Sequence, residues 1–119
     1  MGNVLVVDDE IDICSLLTQQ LKKLGFQASY CLTIHDAIQN LSATSYDLIF
    51  VDLNLTDGSG YDLIASLRKT DGQAKVVVIS AYDSERYKVL DSGANLFVAK
   101  PFTKNSIQDA LKKLNFLKN

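Results

Sequence analysis

The chain has 119 residues, 47% of them hydrophobic, and a formal net charge of −2. It is read as one domain, 1–119, large enough to bury a core without disulfide or metal staples. So mild a charge gives no electrostatic reason to bind nucleic acid or a membrane surface, and no apolar run approaches the roughly 20 residues of a membrane span. The basic-then-apolar layout of a signal peptide is missing too. Asp8, Asp9 and Glu10 follow the apolar residues 4–7 directly, and the expected location is the cytoplasm. Cys14 and Cys31 lie far apart with no CxxC spacing, so free thiols are expected rather than a disulfide.

The elements follow in order. Asn3-Val4-Leu5-Val6-Val7 is a short continuous apolar run that suits a strand buried on both faces. Beyond the acidic triplet, Ile13, Leu16, Leu17, Leu21 and Leu24 recur at helical spacing, and Gly25 is a stop. Residues 27–32 read as a second, less apolar strand, as an edge strand is. Thr33 with Asp36 resembles a capping box ahead of the stripe Ala37, Ile38, Leu41. In the stretch 48–58 four apolar residues run into Asp52, and turn chemistry follows at once. This is a buried strand delivering a carboxylate to the rim of a sheet. Ser59 with Asp62 marks a helix start, with Leu63, Ile64 and Leu67 as its buried face. Lys75-Val76-Val77-Val78-Ile79-Ser80 is a strand with an apolar body and a polar end. Residues 84–92 read as a thin-striped helix with Val89 and Leu90 inward, ended by Gly93. Residues 95–99 are the last strand, followed by Lys100-Pro101-Phe102. Thr103 caps a final helix carrying Ile107, Ala110, Leu111 and Leu114, with Leu117 at its margin.

Five strands alternating with five helices imply an α/β fold: a doubly wound, five-stranded parallel sheet with helices on both faces. Ligands in such sheets bind beyond the carboxyl ends of the strands. Asp8 and Asp9 follow the first strand, Asp52 the third, Ser80 closes the fourth and Lys100 follows the fifth. Taken singly, each has an ordinary reading: helix N-terminal carboxylates, an Asx-turn residue, a polar strand end, a solvated lysine. Their shared position favours a site. Clustered carboxylates repel one another unless a cation is present, and an oxygen-donor set suits Mg²⁺. An acidic metal site with one lysine and one hydroxyl has the parts to hold a phosphoryl group, and Asp52 is the nearest nucleophile.

Val-Asp8-Asp9-Glu10, Val-Asp52-Leu-Asn-Leu, Ile-Ser80-Ala, Gly93-Ala94 and Lys100-Pro101-Phe102 together resemble the receiver domain of two-component response regulators, over essentially the whole chain. The resemblance implies a flavodoxin-like sheet in strand order 2-1-3-4-5. It makes Asp52 the phosphoacceptor, charged from a phosphohistidine on a histidine kinase or histidine phosphotransfer protein. Asp9 and Asp52 would ligate Mg²⁺ directly, Asp8 through water, and the Asn54 backbone carbonyl would be a further ligand. Ser80 would hydrogen-bond the phosphoryl group and Lys100 pair with it. Phe97 matches an aromatic switch position, Asn54 and Tyr82 flank the path of the attacking water, and the bond before Pro101 would be cis. Such a domain is a signalling phosphoacceptor, not an enzyme with a separate substrate, and it shows a surface to a downstream partner. Tyr87, Lys88, Asp91 and the last helix are the candidate face.

Two features depart from the family pattern. Thr56 stands where proline is frequent, so with Gly58 and Gly60 close by the loop after Asp52 should be less stiff than usual. Phe97 lacks the hydroxyl of the frequent tyrosine. Two other readings compete. One is a receiver-fold interaction module that is not regulated by phosphorylation. The other rests on the likeness of Asp52-Leu53-Asn54-Leu55-Thr56 to the DxDxT signature of haloacid-dehalogenase-like phosphatases. There Asn54 replaces the second Asp, and the chain is short for that fold. No GxxxxGK[ST] or GxGxxG follows the first strand, and His35 reads as a surface residue near a helix start.

Overall fold

A computed structural model describes residues 2–70 and 73–118; Met1 and Asn119, the ends of the expected domain, lie outside the described residues. Five strands, β1 (Asn3–Val7), β2 (Gln27–Cys31), β3 (Leu48–Asp52), β4 (Lys75–Ser80) and β5 (Leu96–Ala99), form one sheet. Its order is β2-β1-β3-β4-β5 and every pairing is parallel. Helices α1 (Ile11–Lys23), α2 (Ile34–Ala43), α3 (Gly60–Thr70), α4 (Arg86–Asp91) and α5 (Lys104–Lys113) connect or follow the strands.

The two-residue alternation of a strand divides the apolar runs between two cores. Leu5, Val7, Ile49, Val51, Val76 and Val78 face one layer, where Ala37, Leu63, Ile64, Leu67 and Val89 meet them. Val4, Val6, Leu48, Phe50, Val77 and Ile79 face the other, against Cys14, Leu17, Leu21, Ile107 and Leu111. A sheet covered on both sides requires continuously apolar strands, and β3 is buried at all five positions. β2 has one paired neighbour and stays largely exposed or half-buried, as an edge strand.

Local chemistry sets most helix starts. Thr33 accepts the Asp36 N–H at α2, and Thr103 with Ser106 forms a full capping box at α5. α3 begins at Gly60, where Ser59 Oγ accepts the Tyr61 N–H. Two expectations are corrected. The segment 84–92 is not one helix: a 3-10 turn, Asp83–Glu85, precedes the six-residue α4. Leu90 does not point inward. It is 42% exposed while Val89 is fully buried, because so short a helix presents little more than one inward position. A feature not anticipated is the hairpin pairing Asn54–Leu55 with Gly58–Ser59 directly after Asp52.

Cys14 and Cys31 are free and buried. Burial, with nearby carboxylate charge, pushes both thiols up to about 12, which leaves them protonated and unreactive. Among the described residues no helix is long and apolar enough to cross a membrane.

Candidate functional site

The strand register brings the polar ends level. Asp52 pairs with Ile79 and Ser80 with Ala99, while Asp8 follows β1 and donates its N–H to Cys31 O. The sheet thus places Asp8, Asp52, Ser80 and Lys100 on one rim. Asp8 and Ser80 are fully buried and Asp52 is 6% exposed. Asp8 is held by its Oδ1, which accepts the Glu10 N–H at 2.9 Å. Asp52 Oδ1 takes the Asn54 N–H at 3.4 Å, the expected Asx geometry. Ser80 Oγ accepts the Tyr82 N–H at 3.1 Å.

Lys100 is the centre of the charge arrangement. Its backbone N–H bonds to Ser80 O at 2.8 Å, and the peptide bond to Pro101 is cis. Its Nζ lies 2.9 Å from Asp8 Oδ2, 3.2 Å from Asp52 Oδ2 and 3.5 Å from Glu10 Oε1. Burial acts to lower the lysine's pKa, but the close Asp8 and Asp52 carboxylates outweigh it, and the net shift is upward. Burial raises the Asp52 pKa. Lys100 opposes that rise and Asp8 adds to it.

The donor set fits a divalent cation. Carboxylate oxygens of Asp8, Asp9 and Glu10 lie within 4.8 Å of one another. Asp8 Oδ2 is buried and has no aligned hydrogen-bond donor among the described residues, although the Lys100 charge is close. Hard oxygen ligands with one buried and two exposed carboxylates suit Mg²⁺ held with several waters. Of the expected ligands, Asp8 and Asp52 share Lys100, Asp9 clusters beside Asp8, and Asn54 is exposed at the start of the hairpin. Asn54 and Tyr82 line one groove with Tyr61 and Lys88. The Phe97 ring is buried in the core shared with α3 and α4, and the Arg86 guanidinium lies 4.7 Å from its centroid. His35 is exposed at the second position of α2. On the candidate partner face, Tyr87 is 81% exposed.

Sequence reasoning missed two contributors. Glu10, which the sequence places in an acidic triplet and a family motif without a role of its own, reaches Lys100. Gly60 was read only as loosening the loop, yet a Cβ there would stand 2.5 Å from Asp52 O and 3.0 Å from Leu53 Cα. Both contacts are backbone and have no rotamer to yield. Gly60→Ala is therefore expected to cost about 1–3 kcal/mol by overpacking, measured by denaturant unfolding, and to displace Asp52 itself. Gly93, unlike Gly60, has a positive φ, and its Cβ would meet the Arg68 and Ile64 side chains rather than backbone. Gly93→Ala should lower stability without moving Asp52.

Comparison with known proteins agrees with this geometry. A family model described as the response regulator receiver domain matches residues 4–112. The swarming motility regulation protein RssB of Serratia marcescens is 33% identical over 95% of this chain and 52% of its own length. The KDP operon transcriptional regulatory protein KdpE of Escherichia coli is 34% identical over 94% of this chain and 50% of its own. The chain thus spans about half the length of these curated relatives. Among solved structures, the response regulator TrrA of Thermotoga maritima, in complex with Mg²⁺–BeF, superposes with a TM-score of 0.87 at 29% identity, covering 96% of this chain and 99% of that one. The phosphatase reading finds no support in these matches. A parallel sheet ordered 2-1-3-4-5, an acidic rim crossed by one lysine and a family match over nearly the full length lead to one conclusion: the chain belongs to the response regulator receiver domain family.

Proposed function

We propose that Asp52 accepts a phosphoryl group from a phosphohistidine on a histidine kinase or histidine phosphotransfer protein, and that the modified chain signals to a downstream partner. The observation that carries this reading is the buried Asp52 carboxylate with Lys100 Nζ 3.2 Å from Oδ2, beside the buried Asp8. In the transfer, an Asp52 oxygen forms the new bond to phosphorus. The P–N bond breaks and its electron pair leaves with the imidazole, which carries a proton. Lys100, freed from Asp52 as that carboxylate becomes an acyl phosphate, pairs with a phosphoryl oxygen. Ser80 keeps a hydroxyl proton to donate to another. Asp8, Asp9, Asp52 and the Asn54 carbonyl would hold Mg²⁺, which when bound neutralises charge on the phosphoryl oxygens. The similarity to the Mg²⁺–BeF complex of TrrA supports this assignment.

The product adds about −1.5 to −2 charges beside loops that lead to α4. A pull on Ser80 toward the phosphoryl group would be felt by Phe97 on the neighbouring strand, and through it by Arg86 and α4. The face of Tyr87, Lys88, Asp91 and α5 is the proposed readout surface. Tyr82, 57% exposed in the groove that holds Asn54, would shield the acyl phosphate from water. Tyr82→Ala is expected to shorten the phosphorylated lifetime several-fold, read by intact mass over time; an unchanged lifetime removes the shielding role.

The test of the main reading is incubation of the chain with Mg²⁺ and acetyl phosphate, followed by intact mass. One added phosphoryl group is expected, and none with the ion chelated. No addition under either condition overturns the reading and favours an interaction module that is not regulated by phosphorylation.

A further inference from the structure

The loop after Asp52 was expected to be loose, because Thr56 replaces a common proline and glycines stand at 58 and 60. The structure ties it down by another route. Asp57 lies at the turn of the hairpin formed by residues 54–59, and both of its carboxylate oxygens serve a different element. Oδ1 accepts the Ile34 N–H at 2.8 Å and Oδ2 accepts the His35 N–H at 3.0 Å. These are two of the N–H groups that the start of a helix leaves without intrahelical partners, and a carboxylate is favoured there by the helix dipole. The same two elements also approach closely where a side chain would not fit. Gly58 has φ +152°, and a Cβ on it would come 2.9 Å from Ile34 Cδ1. The far end of the hairpin is closed by the Gly60 N–H on Leu53 O at 2.8 Å.

We propose that Asp57 is a positioning residue for the phosphoacceptor loop: by binding the tip of the hairpin to the start of α2, it sets where the backbone between Asp52 and Gly60 lies, and with it the Asn54 carbonyl offered to the divalent cation. The inference rests on the phosphoacceptor reading. The same amide bonds hold the Asp57 carboxyl below its usual range, so the tie persists in mildly acidic solution. It also makes α2 sensitive to events at the rim, because a shift of the hairpin removes two caps from that helix at once.

The test is Mg²⁺ affinity, measured by titration calorimetry with the metal alone, beside thermal stability. Asp57→Ala is expected to weaken Mg²⁺ binding about tenfold, the lower range for losing a group that orients a metal ligand. Asp57→Asn, which keeps one acceptor oxygen, should restore part of the affinity. Thr33→Ala is the control. It removes another cap from the same helix, where Thr33 Oγ1 accepts the Asp36 N–H at 3.1 Å, but leaves the hairpin tie intact; it should lower the melting temperature and leave the Mg²⁺ affinity unchanged. If Asp57→Ala binds Mg²⁺ as tightly as the wild type, or Thr33→Ala weakens it as much, Asp57 is only a helix cap and the inference is overturned. If the wild type itself binds no Mg²⁺, the phosphoacceptor reading falls and this inference with it.

Discussion

Asp52→Asn is expected to gain no phosphoryl group from acetyl phosphate and Mg²⁺, and to unfold at a higher temperature than the wild type when no metal is present. The first half follows from chemistry, since the amide is no nucleophile. The second half follows from burial. Asp52 is 6% exposed, and loss of solvation, with repulsion from Asp8, raises its pKa despite the Lys100 charge. A carboxyl whose folded pKa lies above its unfolded value binds its proton more tightly when folded. Its ionisation therefore costs stability, beginning as pH rises through the ordinary value of 3.8 and complete above the folded value. The cost is present wherever the folded carboxyl is ionised. Asparagine removes it and leaves Lys100 still beside Asp8 at 2.9 Å and Glu10 at 3.5 Å. The gain should be about 1 kcal/mol, or a few degrees in Tm. On the proposed ligand set the order should reverse with Mg²⁺, the wild type being stabilised by mass action and the variant lacking one ligand. Thermal scans with and without the ion check both halves. An Asn variant less stable than the wild type in chelator would show that the Asp52 charge is not a cost.

Such opposition between stability and function explains what was readable from sequence. The Val-rich runs gave the strands because a sheet covered on both faces leaves no choice of residue, and β1, β3 and β4 are apolar at nearly every position. The rim residues were readable because each breaks such a run at the same end. Contacts between distant segments were not. Asp57 and Ile34 are 23 residues apart, and nothing local marks a turn carboxylate as the cap of an earlier helix. Glu10 looked like an ordinary helix-start acid, because the lysine it faces comes from the last strand. Nothing local marks Arg68 on α3 either, which donates to Ala74 O, Gly93 O and Asn95 Oδ1 and so fastens the turn between α4 and β5. Leu90 was assigned inward because periodicity assumes a helix long enough to repeat, and α4 has six residues.

Lys100→Met should produce the largest loss of stability among single changes at the rim, about 3 kcal/mol at neutral pH without metal. Removing one partner of a buried charge pair costs about 3–5 kcal/mol. The low end applies because Glu10 is exposed, while the lysine side chain is 12% exposed and Asp8 is fully buried. The pH dependence separates this from a packing defect. Without the lysine only the Asn54 N–H opposes the upward shift of Asp52, so the variant should recover stability on acidification at a higher pH than the wild type does. The alkaline limb runs the other way. Lys100 has a folded pKa above its ordinary 10.5, so its contribution is whole below that value and disappears as pH rises through the folded one; only the wild type should show this loss. Phosphoryl acceptance should fall as well, since the cation that pairs with the new phosphoryl oxygens is gone. The sharpest measure is the response to Mg²⁺. On the proposed ligand set lysine and metal neutralise the same carboxylates, so the ion should raise the Tm of Lys100→Met by more than it raises that of the wild type. Equal increments would mean that the ammonium group and the ion do not share Asp8 and Asp52, and the picture of one acidic rim balanced by a mobile cation would be wrong.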